Sequence, residues 1–228
     1  MMKTILGFLA TAVILAAAPA YSADLASLTN QEASSGLKDA LSQGATKAVS
    51  LLGRTDGFLG NPKVKIPLPD NIRRIESGLR LIGMKKQADE LVVAMNRAAE
   101  AAMPEAQALL VDAVRNMSLQ DAKGILTGGD TACTEYFRRA TSAQLTQRFL
   151  PIVTTWTQKV GLAQQYNGLV DKGASLGLTG KDDKIEPYVT RKALDGLYAM
   201  IAEQERAIRK DPIGAATGAA SKVFQLLR

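Results

Sequence analysis

The chain has 228 residues with a net charge of +6, a single cysteine and no histidine at all. Without histidine there is no Ser-His-Asp triad, no histidine general acid and no His-dependent zinc site, and one cysteine cannot close an internal disulfide. The basic excess is uneven, with 13 basic against 12 acidic residues over 23–127 and 14 against 10 over 128–228, a bias within the range of ordinary surfaces.

The first 22 residues read as a secretory signal. Lys3 gives a positive start, Ile5 to Ala18 is an apolar run, and Ala18, Ala20 and Ser22 offer small residues for cleavage. The run is shorter than the ~20 residues that span a bilayer. Cleavage near Ser22 is expected, giving a periplasmic protein over 23–228. No later stretch is apolar enough to serve as a transmembrane segment. The remainder is expected to be a single all-helical domain, with two lobes (23–127 and 128–228) as a variant. Its 29 alanines against nine aromatics point the same way, because alanine favours helix and lets helices approach closely.

In chain order, a first helix is expected over Gln31 to Leu52, ending at Gly53. The stretch "RTDGFLGNPKVKIPLPDN" carries three prolines and two glycines and breaks the helical period. Phe58, Val64, Ile66 and Leu68 make it too apolar for a free linker, so it reads as an extended, ordered crossing laid on the helices. Asp70 is placed to cap a helix with the stripe Ile72, Ile75, Leu79 and Ile82, closed by Gly83 in a left-handed conformation. Met95, Ala98, Ala99, Ala102 and Met103 form a broad buried face on the next helix. Pro104 is expected to open another, with Leu110 and Val114 inward. Ser118 and Asp121 have capping-box spacing. These are expected to be short helices joined by tight turns.

"GGDTACTEYFRRAT" (128–141) looks like a catalytic motif. Read locally it is punctuation: two glycines end one helix and Asp130 caps the next, which continues through Tyr136 and Phe137. Only a helix N-terminus is available to activate Cys133. Asp130 opposes it, so the thiol is expected to be buried and inert. A long helix follows through Leu145, Phe149, Val153 and Trp156, kinked at Pro151. Gly161 to Gly180 reads as irregular. Pro187 opens a strong helix with Leu194, Leu197, Ile201 and Ile208 in a stripe and Glu205 paired with Arg209, stopped at Asp211-Pro212. A last helix is expected through Val223, Phe224 and Leu227. The expected architecture is therefore all-α, a compact multi-helix array of antiparallel helices with one long Pro/Gly-containing crossing and no substantial β-sheet.

Other motifs are thin. "SGLK" at 35–38 has S-x-x-K spacing without the accompanying elements of a penicillin-binding site. "GKDDKIE" at 180–186 lacks the ligand pattern of an EF-hand. Basic pairs such as Arg138 and Arg139 split across helix faces rather than forming a phosphate-tracking stripe, so no nucleic acid partner is expected. No cofactor, metal ligand or catalytic residue is assigned. If a binding site exists, "MNRAAE" and "DTACTEYFRR" supply its lining: Asn96, Arg97 and Glu100 beside one apolar seam, Thr134, Tyr136 and Arg138 beside another. The alternative is a structural network in which Glu100 pairs with Arg97 or Arg138.

"GLKDAL" (36–41), "DGFLGNPKVKIPLP" (56–69), "MNRAAEAAMPEA" (95–106), "DAKGIL" (121–126), "GGDTACTEYFRRAT" (128–141), "FLPIV" (149–153), "YVTRKALDGLYAMIAEQERAIRKDP" (188–212) and the closing "KVFQLL" together resemble one family, the secreted bacterial proteins grouped as domain of unknown function 4197. The resemblance implies a helical exported protein, in a family pattern that usually carries alanine where Cys133 stands. The residues themselves leave two functions of different class open: a non-catalytic binding or interaction protein for a small apolar or anionic ligand or a protein partner, or a histidine-independent hydrolase built on Asp130, Glu135 or Glu100.

Overall fold

The computed structural model describes residues 30–74, 83–177 and 179–211. The signal at 1–22, most of the stripe after Ile72 and the helix expected at Val223 lie outside the described residues. Within them the protein is all-α, with no strand.

Helix α1 is Asn30–Gly53, α2 Lys85–Arg115, α3 Leu119–Thr127, α4 Ala132–Thr157, α5 Gly161–Ser175 and α6 Ile185–Lys210, with a 3-10 turn at Lys181–Asp183 before the last. The principal packing pairs are α2 with α4, α1 with α2, and α4 with α6. Ala40, Ala45 and Ala48 of α1 and Ala98, Ala99, Ala102 and Ala106 of α2 are all buried. Short side chains at these positions let the helix backbones come close. Phe58, Phe137, Phe149 and Tyr198 fill the wider spaces of the same core.

Two local expectations are corrected by the packing. Pro104 does not open a helix; it lies inside the single 31-residue α2. The buried stripe passes it in phase, with Ala99, Ala102, Met103, Ala106 and Leu110 completely covered, and this burial outweighs one missing N–H on an exposed turn. One long helix thus replaces two short ones, whereas α3, at nine residues, is short as expected. Gly161 to Ser175 is a regular helix, because Leu162, Ala163 and Val170 present one face to the core and outweigh the weak propensity of its glycines. Pro151 sits within α4, which runs as the single long helix expected there.

Helix ends hold two further corrections. Ser118 and Asp121 form the expected reciprocal capping box. Asp130, however, does not cap α4: Thr131 stands at that position with no side-chain cap, and the exposed Asp130 side chain is not among the acceptors of the first N–H groups. Asp70 is the first residue of its helix rather than its cap, since Arg73 donates its N–H to Pro69 O at 2.9 Å. Gly83 does adopt the left-handed conformation, with φ of 79°.

Where local caps are missing, distant side chains replace them. Asn167 of α5 accepts the N–H of Ile185 at 3.0 Å, at the start of α6, and Lys38 of α1 donates to Arg115 O at 3.1 Å, at the end of α2. One orphan group at each of these two helix ends is thereby tied to tertiary structure.

The crossing at 54–69 is ordered, as expected, but most of it is turns rather than extended chain. Gly57, Gly60, Asn61, Val64 and Lys65 each donate to a carbonyl three or four residues back, which makes 54–64 a string of turns. Gly57 is pressed against the end of α1, where a Cβ would stand 2.3 Å from Leu52 O. Phe58 from these turns fills the space left by Gly196 of α6, whose absent Cβ would lie 2.6 Å from the ring. Val64, Ile66 and Leu68 are buried in turn.

Candidate functional site

Among the described residues two carboxylates and one amide are buried on apolar helix faces: Glu100, Glu205 and Asn96. Each would cost several kcal/mol unpaired, so their partners reveal what they do.

Asn96 binds the crossing as a neighbouring strand would. Its Oδ1 accepts the Ile66 N–H at 2.9 Å and its Nδ2 donates to Ile66 O at 2.9 Å and to Val92 O at 2.8 Å. One turn on, Oε1 of Glu100 accepts the N–H groups of Phe58 and Leu59 at 3.0 and 3.1 Å. Its Oε2 takes Nη1 of Arg97 at 2.6 Å, and Nη2 of Arg97 reaches Asp56 at 2.8 Å. Asp56 itself sits in the left-handed region at φ 64°. The α2 face at 96–100 therefore anchors the backbone of the crossing.

Glu205 performs the same service for α4. Its oxygens accept the N–H groups of Cys133 and Thr134, both at 3.0 Å, and the Thr134 hydroxyl at 2.9 Å. Arg209 binds Glu205 at 3.0 Å and extends to Ile125 O near the end of α3 at 2.9 Å. The positive end of α4 is an anion site already occupied by the protein's own carboxylate. "GGDTACTEYFRRAT" is thus a helix start held from α6. Burial pushes the Cys133 thiol well above its ordinary value and the Glu205 charge adds to the rise, reversing the usual effect of a helix N-terminus.

The other sequence candidates go to separate places. Tyr136 donates its hydroxyl to Ala113 O at 2.6 Å. Arg138 lies over the Tyr198 ring at 4.6 Å and beside Asp195 at 3.7 Å. Among the sequence candidates, Arg97 borders a sizeable surface cavity.

That cavity is an open groove of about 780 Å³ between the first half of α2 and the turn from α4 into α5. Its apolar walls are Val93, Ala94, Trp156 and Val160, and its rim carries Lys85, Lys86, Asp89, Glu90, Arg97 and Lys159. Val93 and Trp156 remain 44% and 39% exposed, large apolar surface left in a concavity. Lys85 pairs with Asp89 at 2.7 Å and Lys86 with Glu90 at 3.8 Å. The Lys159 ammonium stands 5.9 Å from the Trp156 ring.

Periodicity concealed this groove. Trp156 falls in phase with Phe149 and Val153 and reads as core, yet it lies one residue from the end of α4 and stays 39% exposed. The position of Val93, beside Leu91, Val92 and Met95, was the available signal, because an apolar residue on the side away from the stripe has to face something else.

Among the described residues no helix is long and apolar enough to cross a membrane. No curated protein and no solved structure matches the chain. Residues 27–225 match the family described as "Protein of unknown function (DUF4197)", and the chain belongs to that family.

Proposed function

We propose that this is an exported periplasmic protein, freed of its signal near Ser22 and folded as one helical domain over 23–228, which acts as a non-catalytic binding protein for a small molecule with an apolar body and an anionic group. The α2/α4 groove carries the reading. Its size is that of sites for small organic molecules, and its walls leave an indole and a valine uncovered at a concave surface. The acids considered for a hydrolase lend that alternative no support: Glu100 is committed to three donors, while Asp130 and Glu135 are exposed on the surface.

Native mass spectrometry of the protein collected from the periplasm tests this. A small-molecule adduct is expected, lost on Val93→Glu while the circular dichroism melt stays as in wild type. An adduct that survives Val93→Glu, or bare protein that binds no apolar acid added to it, would overturn the assignment.

A further inference from the structure

We infer that the groove selects a small aromatic anion, its ring lying on Trp156 and its acidic group received by Lys159; this deepens the binding role proposed above and depends on it. The charges of the rim support it. Asp89 and Glu90 each have a lysine one turn before them, at 2.7 and 3.8 Å. Arg97 is spent on Glu100 and Asp56 at 2.6 and 2.8 Å. Among the described residues Lys159 has no carboxylate partner, and its only contact of note is with the face of Trp156.

An ammonium over an indole is held by the ring quadrupole alone, a weak tie at an exposed site. An incoming anion can take over the ammonium without breaking an ion pair. The indole face it uncovers is flat and apolar, which suits an aromatic ring in offset stacking. A cationic ligand would meet carboxylates already neutralised and an unpaired positive charge. A neutral one would leave Lys159 unused.

Trp156 is the chain's single tryptophan, so its fluorescence reports this groove and no other part of the molecule. The probes are anilinonaphthalene sulfonate and N-phenylnaphthylamine, which share their ring systems and differ by the sulfonate. Wild type is expected to show Trp156 quenching with both and tighter binding of the sulfonate. Lys159→Met, which keeps the apolar stem, should weaken the sulfonate about tenfold, the scale of one charge-assisted contact at a partly wet site, and leave the neutral dye unchanged. Lys159→Arg should restore the preference, and added salt should erode it. Equal affinities for the two dyes, or a sulfonate affinity indifferent to Lys159→Met, would refute the anion selection and leave groove binding in place. Quenching by neither dye would remove the binding role itself.

Discussion

The crossing at 54–69 and the start of α4 are secured by the same chemistry, a buried glutamate accepting two successive backbone N–H groups. They differ in where the charge goes next. Glu205 passes it inward, to Arg209 and then to the end of α3. Glu100 passes it outward, to Arg97 and Asp56 at the surface, and Arg97 is also part of the groove. One clamp is closed on the interior; the other joins the groove to the segment that crosses the core.

Removing either carboxylate should separate the two. Glu205→Ala is expected to be the most damaging single change, about 3–5 kcal/mol, since it strands two N–H groups and the Thr134 hydroxyl and takes the carboxylate from Arg209 beside the core. Glu100→Ala should cost less, because Arg97 keeps Asp56 and can turn to water. Denaturant melts of both variants measure the gap, and equal losses would show that the outward route gives no relief.

Asn96→Leu comes next, at about 2–3 kcal/mol, from Ile66 N–H and C=O groups left buried without a partner. Hydrogen exchange should locate the loss: the Ile66 amide should lose protection while those of Cys133 and Thr134 keep theirs. Loss of protection at both places would mean the two clamps are one cooperative unit.

Thr190 sharpens the comparison from the opposite side. It is buried on α6 and its hydroxyl has no partner. Thr190→Val should therefore stabilise the fold, by about 1 kcal/mol, as a rise in Tm. A fall would mean that the hydroxyl is paired in solution.

Cys133 should give an effect as small and opposite in sign, with Cys133→Ala costing about 1 kcal/mol from a small cavity. Its pH dependence has a definite sign. The folded thiol titrates above its ordinary 9.0, so its contribution is whole below pH 9.0 and is lost as pH rises toward the folded value. Cys133→Ala should remove that part of the alkaline loss, and alkylation of native Cys133 should be slow until denaturant is added.

Much of the buried polar framework was visible in the spacing. Glu205 lies four residues after Ile201 and three before Ile208, on the stripe itself, and Asn96 and Glu100 flank Ala98 and Ala99 in the same manner. A charge in phase with core residues has to find a buried partner. Which partner it finds depends on loop closure between residues 30 to 72 positions apart, and no local pattern encodes that. The opening of the groove escaped for a related reason, since a stripe shows which side of a helix is apolar but not how far its neighbour extends to cover it.

By itself, then, the sequence determined the helical class, the ordered crossing, the capping box at Ser118 and the chemistries that a chain without histidine cannot perform. These follow from periodicity, proline and glycine placement and composition, all local properties. Only the tertiary structure decided that α2 runs unbroken through Pro104, that α4 is capped from α6, and that Trp156 faces a groove, because each depends on apolar area buried, or left bare, against an element distant in sequence.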